Sequence, residues 1–180
     1  MVKKIAVVLT GFFLVFAAVV QFQPNEFKIS RKIEIKAPLF SVFSQVNILK
    51  NWEMWSPWAK LDPNVKNTYS GPEFGQGAVF NWSGNDDVGE GQMTIVESRN
   101  NEKVVIKVEF IRPIKAINMT EFEFYHNGDG TEVTWTMTGQ RSFFEKAFNL
   151  LFNMDSILGV DFEKGLANMK QAAESESAAH

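Results

Sequence analysis

Phe27, Ile29, Ile33 and Ile35 alternate with Lys28, Ser30, Lys32, Glu34 and Lys36, and Arg31 is the one charge on the apolar parity. A period of two predicts a half-buried strand. Ala37-Pro38 closes it, and Pro38 suits the first turn of a helix. Leu39, Val42, Phe43, Val46 and Leu49 then recur three or four residues apart, the spacing of an amphipathic helix. Trp52, Trp55 and Trp58 follow in three-residue steps, so one short helical turn would put them on a shared face until Pro57 stops it.

From Val65 to Gln140 the period returns to two. Ala78, Phe80 and Trp82 form one parity, Met93 and Ile95 the next, then Val104, Ile106, Val108 and Phe110, then Phe122 and Phe124, then Val133, Trp135 and Met137. Polar residues fill the opposite parity, which predicts an antiparallel sheet with one covered and one wet face. Asn127-Gly128-Asp129-Gly130 is the strongest hairpin signal, because its residues accept positive φ cheaply. Ser142 and Glu145 have the spacing of a capping box. The helix they open carries Phe148, Leu151, Phe152, Leu158, Phe162, Leu166 and Met169 as a stripe to Lys170, with Gly159 and Gly165 as points for a kink or a division into two helices.

One segment stands apart. Ile5 to Phe22 is almost wholly apolar, sits directly behind Lys3 and Lys4, and has the length to cross a bilayer as a helix. A cleaved signal shares the basic start and apolar middle, but Phe16 to Val20 stays apolar and only Val15-x-Ala17 offers a cleavage pattern. The favoured organisation is a retained anchor over 1–23, a domain over 24–171 and a disordered tail over 172–180. The paired lysines place the domain outside the cytoplasm, although Lys28, Arg31 and Lys32 weaken that asymmetry. Anchor and signal both export it, and the absence of cysteine is compatible with an oxidising compartment.

Charge narrows the partners. With Lys3 and Lys4 set aside, 16 basic residues face 21 acidic ones, so no basic face is expected for nucleic acid. Aromatic content is high: 13 of the 17 Phe and all five Trp lie beyond the apolar segment. So many rings make either a dense core or a ring-walled cavity.

The order of strand, two short helices, about six further strands and a long C-terminal helix is that of an α+β helix-grip fold. The local patterns include Lys36-Ala37-Pro38, the Trp52/Trp55/Trp58 cluster with Ser56-Pro57, Gly75-x-Gly77 leading to Trp82, and Gly89-x-Gly91-x-Met93-x-Ile95-x-Glu97. Gly130-Thr131-x-Val133-Thr134-Trp135 and Phe162-Glu163-x-Gly165-Leu166-x-Asn168-Met169-Lys170 complete the series. Together they resemble the polyketide cyclase/dehydrase-like branch of the START-related (SRPBCC) superfamily, over roughly Phe27 to Lys170. The resemblance implies a curved sheet wrapped on a long helix, with an apolar cavity between them for lipids, sterols, polyketides or similar molecules. Only some members are enzymes, so it leaves activity open.

Candidate ligand-binding residues follow. Trp52, Trp55 and Trp58 would cap one mouth of the cavity, or simply plug the core. Phe80, Trp82, Met93, Phe110, Phe122 and Trp135 would line its concave wall. Arg31 could hold a carboxylate or enolate bidentately, point out past a bulge, or pair with an acid of the core. No catalytic residue is expected, since there is no cysteine and the two histidines are His126 beside a turn and His180 at the end. Asp86, Asp87 and Glu90 read as a solvated loop, so no metal and no cofactor is predicted. The leading expectation is membrane-tethered, non-enzymatic binding of a hydrophobic small molecule or lipid. Alternatives are a cyclase- or dehydratase-type enzyme and an interaction module whose cavity is filled by its own rings.

Overall fold

The computed structural model describes residues 1–178. An N-terminal helix, α1 (Val2–Gln21), leads into strand β1 (Glu26–Ile35), helix α2 (Leu39–Asn47), a 3-10 turn (Leu49–Asn51) and the short helix α3 (Trp52–Trp55). Six strands follow: β2 (Lys66–Ser70), β3 (Val79–Ser83), β4 (Glu90–Arg99), β5 (Lys103–Arg112), β6 (Ala116–Asn127) and β7 (Gly130–Gln140). Two helices, α4 (Phe143–Leu151) and α5 (Met154–Ala178), close the described residues. The strands make one antiparallel sheet in the order β1-β7-β6-β5-β4-β3-β2, which is the expected helix-grip arrangement.

Register places the expected rings on one face. Phe80 pairs with Met93, Met93 with Val108, Gly91 with Phe110, and Phe122 with Trp135. Bulges in β4 next to Gly91 and at Val96 break the regular ladder, a device that bends strands and increases their twist. Helix α5 lies over β1, with α2 and α3 beside it. The core between these layers includes Ile29, Ile35, Val46, Leu49, Ile106, Phe122, Trp135, Phe162 and Met169.

The C-terminal helical stretch divides, but not at a glycine. Phe152 takes an extended conformation, and the Asn153 side chain accepts from the backbone N–H groups of Asp155 and Ser156 to start α5. The capping box forms as expected: Ser142 and Glu145 each accept from the other's backbone N–H. Gly159 and Gly165 instead admit neighbours. A Cβ at Gly159 would overlap the Arg31 guanidinium, and one at Gly165 would stand 2.9 Å from the Trp135 ring. Helix α5 also runs through 172–178, where a disordered tail was expected. Ala173 is buried, Glu174 accepts from the Lys36 N–H, and Glu176 accepts from the Gln45 side chain. These contacts supply the order that composition did not announce; 179 and 180 lie outside the described residues.

Candidate functional site

The concave rings fall into two groups. The first fills the centre of the domain. Trp135 is 1 % exposed and lies between Phe162, at a ring distance of 4.0 Å and nearly parallel, and Phe122 at 4.9 Å. Trp52 and Trp55 meet both Phe122 and Trp135 edge-on, and Trp58 meets Trp135 and Phe162 the same way. Each buried indole N–H finds an oxygen. Trp52 donates to Val46 O, Trp55 to Gln45 O at 2.9 Å, and Trp135 to the Thr120 hydroxyl at 2.7 Å. Edge-to-face and offset pairs of this kind suit the ring quadrupole. Trp52, Trp55, Phe122 and Trp135 thus serve as packing between α3, α5 and the sheet, with Trp58 half-buried at their border.

The second group is a row across β2 to β5. Tyr69 stacks on Phe80 at 5.0 Å, Phe80 on Trp82 at 6.0 Å, and Trp82 meets Phe110 edge-on at 5.9 Å. Phe80, Trp82 and Phe110 are half-buried, and Tyr69 is exposed. Met93 is buried on the same face, next to Phe80 in register. Gly91 makes the row possible, because a Cβ there would strike the Trp82 ring. The Trp82 indole donates to Val88 O and so ties the row to the β3–β4 loop. Tyr69 donates to Glu53 Oε1 at 2.7 Å, linking β2 to α3. Partial desolvation against Phe80 first, and the bond to the Glu53 carboxylate second, push its phenol pKa above the ordinary value although the ring edge stays exposed.

Arg31 occupies neither group. Its Nε donates to Glu163, Nη1 to Ser30 O and Asp155 Oδ1, and Nη2 to Asp155 O and Oδ2, at 2.7 to 3.2 Å. A guanidinium has five N–H groups, and all five are engaged. Bonds to Asp155 and then Glu163 raise its pKa further. Of its expected roles, pairing with acids is the one realised, though Asp155 and Glu163 are exposed and not core acids: Arg31 clamps β1 to α5.

Two open grooves lie outside the sealed centre, the second against the Tyr69 end of the row. One of about 520 Å³ runs between Met54–Leu61 and the C-terminal half of α5, with Lys60 and Lys164 on its walls. Another of about 290 Å³ separates Leu49 and Lys50 from Tyr69 and Ala78. Neither is lined by any residue expected from the sequence to touch ligand. Asp86 pairs with Arg112 at 3.1 Å, and His126 is exposed against Gly130 O. Among the described residues no His, Asp and Glu side chains gather in a set of three that could hold a metal ion. Tyr69 was missed by sequence reasoning, since its strand is polar apart from this one ring.

The sequence profile of polyketide cyclase/dehydrase and lipid transport proteins matches residues 26–174. The chain belongs to this family. No functionally curated protein matches the sequence. Solved structures share the family's fold at low identity. A protein from Rhizobium leguminosarum is 12 % identical with a TM-score of 0.61, covering 83 % of this chain and 95 % of its own. Protein CV1439 from Chromobacterium violaceum is 11 % identical with a TM-score of 0.58, covering 84 % and 99 %. The Aha1 dimer from Colwellia psychrerythraea is 16 % identical with a TM-score of 0.57, covering 82 % and 96 %. At these identities the likeness speaks to fold alone.

Proposed function

We propose that the protein is a membrane-tethered, non-enzymatic binder of a hydrophobic small molecule or lipid acyl chain, which it receives on the half-open ring row of β2 to β5. The observation that carries this reading is that Phe80, Trp82 and Phe110 remain partly exposed on the concave face while the neighbouring rings are sealed. Covering 100 Å² of apolar ligand surface contributes about 2.5 kcal/mol before association costs. The filled centre confines ligand to the row and gives the alternative of a closed interaction module its one support. Family membership is compatible with the cyclase-type alternative, but Arg31, its one candidate residue, offers no free donor to steer an enolate. Helix α1 is long and apolar enough to span a bilayer and, with Lys3 and Lys4 in its first turn, would leave the domain on the far side.

Native mass spectrometry of the detergent-extracted full chain tests this. The expected result is a co-purifying hydrophobic molecule that Phe110→Ala reduces and Phe122→Leu leaves in place. Equal retention by both variants would place the ligand off the row and overturn this reading, and no uptake of any acyl or sterol probe by the wild type would favour the closed module.

A further inference from the structure

Helix α4 carries its apolar face outward. Phe144, Phe148, Leu151 and the C-cap Phe152 recur at one-turn and two-turn spacing, and all four are exposed, Phe144 at 82 %. The polar residues turn inward. Lys146 is buried with its ammonium donating to the Asn25 side chain, and the Asn149 side chain accepts from the Met154 N–H. A helix on a wetted surface has the reverse arrangement. The capping box fixes where α4 begins, so the outward face is not a loose end.

Two further observations identify what covers that face. Phe16, Ala17 and Val20 are the residues of α1 withdrawn from solvent, and α4 is the element α1 packs against most. From Phe16 to Phe22 a helix rises about 9 Å. If α1 crosses a bilayer, α4 is therefore held within that depth of its exit point. The sheet register adds the second observation. Phe110 pairs with Ala116, Asn118 with Gly139 and Glu26 with Gln140, so the β5–β6 turn lies at the sheet end where β1 enters and β7 leaves. Ile114 and Ile117 are exposed there, at 69 % and 63 %.

We infer that α4 lies in the boundary between headgroups and acyl chains of the same bilayer that α1 crosses, with Ile114 and Ile117 at the same surface. Trp82 and Phe110 sit at that end of the sheet, opposite Gly91 in register. The ring row then opens toward lipid, and an acyl chain could pass to it without crossing water. This rests on the reading of α1 as a retained span.

The chain contains no cysteine, so single-cysteine spin labels report one site each. Full-length Phe148→Cys, Leu151→Cys, Phe12→Cys and Lys32→Cys are reconstituted in phosphatidylcholine–phosphatidylglycerol vesicles after a check of unchanged circular dichroism. Collision with oxygen and with a water-soluble nickel chelate gives depth. The Phe148 and Leu151 labels are expected about 5–10 Å below the phosphates, where interfacial helices lie, with the Phe12 label deeper and the Lys32 label in water. Water-exposed α4 labels beside a lipid-embedded Phe12 label would overturn the inference and spare the anchor. A Phe12 label in water would overturn both. Shielding of the α4 labels from both reagents, with label–label broadening, would assign the face to a second copy of the chain and also overturn it.

Discussion

Trp135→Ala separates a ring-filled centre from a ring-walled cavity. The side chain is buried, stacked on two rings and bonded to the Thr120 hydroxyl, which still donates to Thr136 O when the indole is gone. Truncating a fully packed Trp costs about 3–5 kcal/mol through lost transfer and the void left behind. Loss of two stacked partners pushes towards the upper end of that range. A domain of this size holds only about 5–15 kcal/mol. With a urea slope of about 2 kcal/mol per molar, the midpoint should fall by about 2 M. Urea titration followed by circular dichroism, on the chain lacking residues 1–23 in mild detergent, measures this. The void should also admit benzene, which would recover part of the lost stability in the variant and none in the wild type. A cost below about 1 kcal/mol, with no benzene effect, would mean that Trp135 already borders open space, and the division of the rings into two groups would be wrong.

Gly159→Ala should destabilise by about 1–3 kcal/mol through overpacking against Arg31, offset by up to about 1 kcal/mol of helix propensity, so a net gain in thermal midpoint would refute the clamp. Arg31→Met should lower the midpoint while changing uptake of neutral and carboxylate-bearing probes equally; selective loss of the carboxylate probe would show a free donor. Tyr69 keeps its proton in the folded state, so the stability it adds is complete below the unfolded tyrosine pKa of about 10 and falls as pH climbs towards the folded value. The wild-type urea midpoint should therefore drop more between about pH 9 and 11.5 than that of Tyr69→Phe, and identical profiles would contradict the partial desolvation and the Glu53 bond.

The strands with clean alternation were legible because burial on one face forces a period of two, and register then put Phe80, Trp82, Met93, Phe110, Phe122 and Trp135 on the expected face. Strand β2 was not, since an edge strand wet on most sides needs no apolar parity. Glycine misled in α5. Gly159 and Gly165 break an isolated helix pattern, yet here they make room for Arg31 and Trp135, while Asn153 makes the division. The fate of the rings was illegible for a related reason. Alternation assigns a face, but only the packing of α3 and α5 decides which part of that face is sealed. Arg31 depended on partners 124 and 132 positions away, beyond any local pattern. Phe148, Leu151 and Phe152 of the inverted α4 face were present in the sequence as part of a helical stripe, but spacing alone does not say which side is wet.

Quenching of intrinsic fluorescence by a brominated acyl chain tests most directly whether ligand sits on the ring row. Of the five tryptophans, Trp82 belongs to the row, Trp52, Trp55 and Trp135 are sealed in the centre, and Trp58 stands at its border. The full chain in detergent should be quenched on titration with a bromostearate, and Trp82→Phe should lose most of that quenching while still binding the probe. Undiminished quenching in Trp82→Phe would place the ligand among the central rings and contradict the account.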